Sequence, residues 1–236
     1  MGAETGRLRY TSLLTFLIVC ALFLTARLSY LFLADAYRFP ISTVKIAANY
    51  QHITRKQLEL VLSNYLHSSF FSLSVRRLHD DLLAMDWSDR VYIERIWPDT
   101  LKITLVEKTP VAVWNDTLMT ADGELFNVAT DQNEEGLPKL TGPLQQQTDV
   151  LQIYQKLSKL LSTYGLHAAA LQLRDNQAWE LVLTNGIQLR LGKQELEKRL
   201  QRFCRAYSVV FADKPEQLSS VDLRYARGMA VRWKTK

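Results

Sequence analysis

The spacing of apolar and polar positions changes several times along the chain, and each change predicts an element. The longest apolar run comes first: Thr11 to Ala34 reads TSLLTFLIVCALFLTARLSYLFLA, with Arg27 as its one charge. A helix needs about 20 mostly apolar residues to cross the hydrocarbon core of a bilayer, and Leu13 to Leu33 supplies 21. Arg27 stands six residues before Leu33, near enough to that end for its long side chain to reach the headgroups. Tyr30 and Tyr37 suit the interface beyond it. These features predict a transmembrane helix over residues 11–36, surrounded by lipid. The competing reading is a cleaved signal, because Ala34-Asp35-Ala36 has the small-x-small form of a cleavage site. A signal core usually runs about 7–15 residues, and this run is longer, which favours an anchor.

The next 70 residues alternate between the two periods. Thr43 to Ala47 suits a short strand. Thr54 and Gln57 have the spacing of a capping box, opening a helix with Leu58, Leu62 and Tyr65 on one face. Ser74 precedes a second helix whose Val75, Leu78, Leu82 and Met85 are spaced 3, 4 and 3 apart. Val91 to Trp97 and Leu101 to Lys108 suit strands, joined by a turn at Pro98-Asp99-Thr100. Strand, helix, helix, strand, strand is the order of a POTRA domain, expected over residues 40–109. Such modules commonly offer a sheet edge to partners.

Pro110 marks a boundary, since proline cannot donate to a central ladder. Beyond it, Val111 to Trp114, Leu118 to Thr120 and Glu124 to Val128 predict short strands, with a hairpin turn at Asp122-Gly123. Residues 129–137 predict a polar loop. Val150, Tyr154, Leu157, Leu161 and Tyr164 predict an amphipathic helix. Trp179 to Leu183 and Ile187 to Leu191 flank Asn185-Gly186, a strong hairpin signal. Leu196, Leu200, Phe203, Tyr207 and Val210 form the stripe of another helix, and Val221 to Tyr225 with Met229 to Trp233 predict a final hairpin around Arg227-Gly228. The expected fold class is α+β: a short cytoplasmic segment over 1–10, one transmembrane helix, a β-α-α-β-β POTRA domain, and a C-terminal mixed β-sheet domain over 110–236. That last sheet is expected to be a meander with helices on one face.

Composition narrows the function classes. Of 236 residues, 47% are hydrophobic and 22% charged, which excludes a disordered tail, a collagen-like fibre and a multi-span membrane protein. Cys20 falls in the apolar run and cannot reach Cys204, which suits a small apolar residue on a helix. Arg7 and Arg9 place the N-terminus in the cytoplasm by the positive-inside rule and export the rest, although Arg38 and Lys45 narrow the margin. Residues 186–236 carry 12 Lys plus Arg against 5 acids, a local net charge of +7 within an overall +5. Lys198, Arg199, Arg202 and Arg205 suit a solvated helix face, and no nucleic-acid partner is expected outside the cytoplasm. No phosphate loop, H-E-x-x-H, G-x-S-x-G or CxxC is present. The four His residues lack ligand spacing, and Asp80 and Asp81 point about 100° apart on a helix. No enzyme, cofactor, metal or small-molecule substrate is therefore expected.

The run Arg95-Ile96-Trp97-Pro98-Asp99-Thr100-Leu101-Lys102-Ile103-Thr104-Leu105-Val106-Glu107-Lys108-Thr109-Pro110-Val111-Ala112 resembles the R-x-W-P-x-x-L-x-I-x, two hydrophobics, E-x-x-P-x-A pattern of the FtsQ/DivIB family of bitopic bacterial division proteins. The likeness continues through Trp114-Asn115-Asp116 and Asp122-Gly123-Glu124-Leu125-Phe126, and returns at Val221-Asp222-Leu223-Arg224-Tyr225. It implies a non-enzymatic scaffold of the divisome in the bacterial inner membrane, at the septum, with most of the chain in the periplasm. It implies binding to FtsB, paired with FtsL, linking early division proteins to the septal wall synthase complex. The expected mechanism is strand addition at the last β-strand. The implied partner-binding residues are Arg224, Tyr225, Gly228, Met229, Val231 and Trp233, with Trp233 expected to be more open than Tyr225 and Arg224 free to meet a partner carboxylate. Ala226-Arg227 stand where relatives often carry small or acidic residues. Val91 and Ile93 on the POTRA edge are candidate secondary contacts. Two other readings remain at this point: a POTRA-bearing accessory of outer-membrane protein assembly or secretion, and a membrane-anchored periplasmic hydrolase.

Overall fold

A computed structural model describes residues 4–126, 136–211 and 217–234. Two compact units divide between Lys108 and Thr109. The first begins with α1 (Glu4–Leu33), within which Leu14–Leu33 is long and apolar enough to cross a membrane. The POTRA elements follow in the expected order: β1 (Thr43–Ala47), α2 (Arg55–Ser63), α3 (Val75–Leu83), β2 (Ser88–Ile96) and β3 (Thr100–Glu107). The sheet order is β1-β3-β2, with β1 parallel and β2 antiparallel to β3.

Local chemistry explains these boundaries. The Thr54 amide donates to Gln57 Oε1 at 2.8 Å while the Gln57 amide donates back to Thr54 Oγ1, so the capping box closes at both ends. Ser74 caps α3 through the Arg77 amide. Leu58, Leu62, Leu78 and Leu82 face Leu101, Ile103 and Leu105, and all are buried. The helices are shorter than their apolar pattern: Tyr65 and Met85 stand in the turns that follow. Glu107 at the end of β3 is buried and accepts the amides of Gln51, His52 and Ile53. It also meets His52 Nδ1 at 3.1 Å, while the His52 ring stacks on Trp87 at 3.5 Å. The acid of the central motif thus ties the β1–α2 loop to the last strand.

The second unit is one nine-stranded sheet covered by helices. Its elements are β4 (Pro110–Trp114), β5 (Thr117–Thr120), β6 (Leu125–Phe126), β7 (Lys139–Thr141), α4 (Gln147–Ser162), β8 (Ala168–Leu173), β9 (Trp179–Leu183), β10 (Gln188–Gly192), α5 (Leu196–Ala206), a π-helical turn (Tyr207–Phe211), β11 (Leu218–Asp222) and β12 (Ala230–Trp233). The spatial order is β12-β11-β10-β9-β8-β7-β4-β5-β6. A pure meander is corrected here, because β4–β7, β7–β8 and β10–β11 are parallel pairs. Parallel neighbours need a crossover, and α4 and α5 supply two of them, packing on each other and on the sheet. Strands β7 and β8 were not expected. Of the predicted strand Glu124 to Val128, Leu125–Phe126 forms; residues 127 and 128, and the predicted polar loop through residue 135, lie outside the described residues.

The core runs from Trp114 and Met119 through Leu140, Leu157, Leu161 and Leu171 to Leu200, Phe203 and Cys204. Side chains of this size stabilise by about 1.5–3 kcal/mol each when fully buried. Trp114 is seated by its neighbours: the Asn115 side chain exchanges two hydrogen bonds with the Gly142 backbone, at 2.9 and 3.2 Å. A Cβ on Gly142 would lie 2.8 Å from the Trp114 ring. The stripe of α5 breaks at the π turn. The wider turn changes the phase, so Phe211 is buried in place of Val210, which is 66% exposed.

Candidate functional site

The C-terminal strand lies at the rim of the large sheet. β12 pairs antiparallel with β11 through Asp222–Ala230, Val221–Val231, Ser220–Arg232 and Leu218–Trp233, and the other side of β12 has no strand beside it among the described residues. That side is a row of backbone donors and acceptors, the feature that lets a sheet take up another segment.

The implied partner residues converge on this edge in different ways. The predicted strand to Tyr225 ends instead at Asp222, so Arg224, Tyr225 and Gly228 lie in the loop 223–229. Tyr225 is 57% exposed and Trp233 is 48% exposed, so Tyr225 is the more open of the two, against expectation. Trp233 meets Phe211 edge to face at 5.9 Å, which fixes one side of its ring and leaves the other in solvent. Met229 and Val231 are half-buried against the core. Gly228 has open space where a Cβ would stand. Arg224 is already paired: its Nη2 lies 2.6 Å and its Nε 3.0 Å from Asp222 Oδ2. The hydrogen bonds from Arg224 hold the Asp222 carboxyl below its ordinary range, against the opposing effect of burial.

Arg224 belongs to a larger charged row. Arg190 on β10 stands in register between Glu180 on β9 and Asp222 on β11. Glu180 receives Arg174 at 2.7 Å and faces Arg190 at 3.8 Å. A shallow hollow between Arg174, Glu180, Arg190 and Arg224 opens over β9 and β10, reaching the loop 223–229 through Arg224. Three guanidinium groups against two carboxylates leave this face cationic.

The loop that carries Tyr225 is held from beneath. Arg202 on α5 donates to the carbonyls of Leu223 at 3.0 Å, Tyr225 at 2.9 Å and Ala226 at 2.9 Å. Arg199 donates to the Leu191 carbonyl in the same way. The reading of Arg199 and Arg202 as a solvated face is thereby corrected: both are half-buried, Arg199 tying α5 to β10 and Arg202 tying it to the loop at the rim. Periodicity could not have revealed this, because the acceptors lie 21 to 24 residues away from Arg202.

The second candidate edge is β2, one of the two outer strands of the POTRA sheet. Val91 is only 6% exposed and packs into the core, and Ile93 is half-buried. The side chains β2 turns outward are Tyr92, Glu94 and Ile96. A partner on this strand would meet its backbone and these residues rather than the Val91 side chain.

Other chemistry is sparse among the described residues, where no group of three or more His, Cys, Asp or Glu could hold a metal. Burial pushes the Cys204 thiol up to about 11, so it stays protonated and packed rather than nucleophilic.

Comparison with known proteins places both units. Residues 39–108 match the family model "POTRA domain, FtsQ-type", and residues 112–224 match "Cell division protein FtsQ/DivIB, C-terminal". The chain is 36% identical over 203 residues to a cell division protein FtsQ of Shewanella oneidensis, covering 86% of this chain and 77% of that protein. It is 31% identical over 196 residues to one of Coxiella burnetii, covering 83% and 81%. Another, of Hahella chejuensis, is 34% identical over 196 residues, covering 83% and 70%.

Proposed function

Because the chain belongs to the FtsQ/DivIB family, we propose that it is a non-enzymatic bitopic scaffold of the bacterial divisome that binds FtsB, paired with FtsL, by strand addition to β12. The observation that carries this reading is the open side of β12, flanked by the exposed rings of Tyr225 and Trp233. Main-chain hydrogen bonds along the edge supply affinity, and the two aromatic side chains supply anchors. The cationic row beside the edge suits an acidic partner segment and steers its approach, an effect that weakens with salt. With α1 in the inner membrane and Arg7 and Arg9 in the cytoplasm, β12 stands in the periplasm at the septum. There it links early division proteins to the septal wall synthase complex. Residues 110–236 carry this binding, and the POTRA domain, residues 40–109, carries recruitment through its own edge at β2.

The test is titration calorimetry of the purified chain with a periplasmic FtsB segment. Truncating an aromatic anchor costs about 2 kcal/mol or more, roughly thirtyfold in affinity. Tyr225→Ala and Trp233→Ala are each expected to weaken binding by that order while melting curves stay close to the parent. Full affinity in both variants would refute strand addition at this edge. Capture from membranes of outer-membrane assembly factors in place of FtsB and FtsL would replace the reading with that of an accessory of barrel assembly.

A further inference from the structure

Where α1 ends, the POTRA domain grips it. The Leu33 carbonyl, one of the last that α1 leaves without a helical partner, accepts the hydroxyl of Ser69, which is buried. The same hydroxyl accepts the Phe71 amide at 3.2 Å, and the Phe70 amide donates to the Phe39 carbonyl at 2.8 Å. Aromatic rings run along this junction. Phe32, on the last turn of α1, meets Phe39 edge to face at 5.7 Å, Phe39 meets Phe71 at 5.1 Å, and Phe71 meets Phe70 at 5.4 Å. Arg38 lies over Phe32 at 4.6 Å and pairs with Asp35 at 3.2 Å.

Position then follows from length. The apolar stretch Leu14–Leu33 has 20 residues, about 30 Å of helix, which matches the hydrocarbon core. Leu33 therefore stands at the boundary between acyl chains and headgroups. Whatever is hydrogen-bonded to its carbonyl stands there too. Phe70 turns into the POTRA core, but Phe71 is exposed. An exposed phenylalanine in water is unfavourable, whereas the interface is where aromatic rings concentrate. Exposed Tyr37 flanks it on the chain leaving α1, and Arg76 and Arg77 follow in the first turn of α3 with the charge that anionic headgroups attract.

We infer that the loop Ser69–Ser72 is a second membrane contact of the chain. Phe71 inserts into the interface of the bilayer that holds α1, and the Ser69–Leu33 hydrogen bond keeps the POTRA domain against the lipid surface. This rests on α1 spanning the membrane, and the experiment separates the two. The full chain, with Cys20→Ala and Cys204→Ala, is placed in nanodiscs of phosphatidylethanolamine and phosphatidylglycerol. Single nitroxide labels are attached at Ser72→Cys, Leu24→Cys or Asn49→Cys, and their accessibility to oxygen and to a water-soluble nickel chelate is compared by power saturation. Leu24 reports the span, and Asn49 reports the far end of β1. The expected result is lipid-type accessibility at Leu24, aqueous accessibility at Asn49, and an interfacial value at Ser72 that Phe71→Ser returns to the aqueous side. An aqueous value at Ser72 with Leu24 in lipid would overturn the inference alone and leave Phe71 to a protein partner. An aqueous value at Leu24 would overturn the span and the inference together. An interfacial value at Ser72 that Phe71→Ser does not change would overturn the insertion of Phe71.

Discussion

Replacing Arg202 by methionine tests whether the loop 223–229 is held by α5. Methionine keeps most of the apolar stem and removes the guanidinium that reaches three carbonyls. Those carbonyls do not lose equally. Tyr225 and Ala226 are exposed, so water takes the place of the lost donors. Leu223 is fully buried, and a buried acceptor left alone costs about 1–3 kcal/mol. Arg202 Nε is itself buried without a partner, so its removal offsets part of the loss. The net destabilisation expected is about 2 kcal/mol. A looser loop must also be ordered when a partner binds, which costs about 0.5–1.5 kcal/mol for each side chain fixed. Affinity should therefore fall roughly fivefold through Tyr225, a residue the substitution does not touch. Urea unfolding of the chain in nanodiscs, with hydrogen exchange followed on peptides covering 218–233, reads both effects. Faster exchange confined to that region with a lowered midpoint is the expected outcome. Parent-like exchange and an unchanged midpoint would show that the three hydrogen bonds do not hold the loop.

Three further outcomes follow from individual contacts. Gly142→Ala places a methyl 2.8 Å from the Trp114 ring, and overpacking of this kind costs about 1–3 kcal/mol, read as a lower melting midpoint of the second unit. Glu107→Ala strips an acceptor from three backbone amides and the His52 ring; it should lower the melting midpoint of the POTRA unit and leave that of the second unit in place. The depressed Asp222 carboxyl contributes stability that is fully present above its unfolded value of about 3.9 and is lost as pH falls through the lower folded value. Asp222→Asn should flatten the acid side of the stability profile, and since Arg224 is largely exposed the effect is expected to be small and sensitive to salt.

Where a single period or a local motif decided an element, the pattern of the chain was enough. The span, the Thr54 box, the alternation of β3 and the Asn185-Gly186 hairpin all form as their residues require. β8 was hidden because AAALQL lacks the branched and aromatic residues that mark strands, and it is strand only because β7 and β9 flank it. Lys139–Thr141 is too short to show a period. Val210 fell off its stripe because a π turn has no sequence signature in a run such as YSVVF. At the candidate site, Tyr225 and Trp233 were visible as aromatic positions near the end of the chain. Their surroundings were not: Arg202 under the loop, Phe211 beside Trp233 and the Glu180–Arg190–Asp222 row all join residues distant in sequence. The pairing of Arg224 with Asp222 joins residues only two apart, the last of β11 and one in the loop that follows, and so lies within reach of the local sequence.

The central claim is that a partner becomes the next strand beyond β12. Amide hydrogen exchange of the full chain in nanodiscs, with and without a saturating periplasmic FtsB segment, tests it most directly. Strand addition predicts new protection at the amides of Val231 and Trp233, because only every second N–H of an edge strand points outward and the Lys234 amide already donates inward to the Gln217 carbonyl. Protection at β6 or β2, or bound partner with unchanged exchange along β12, would contradict it.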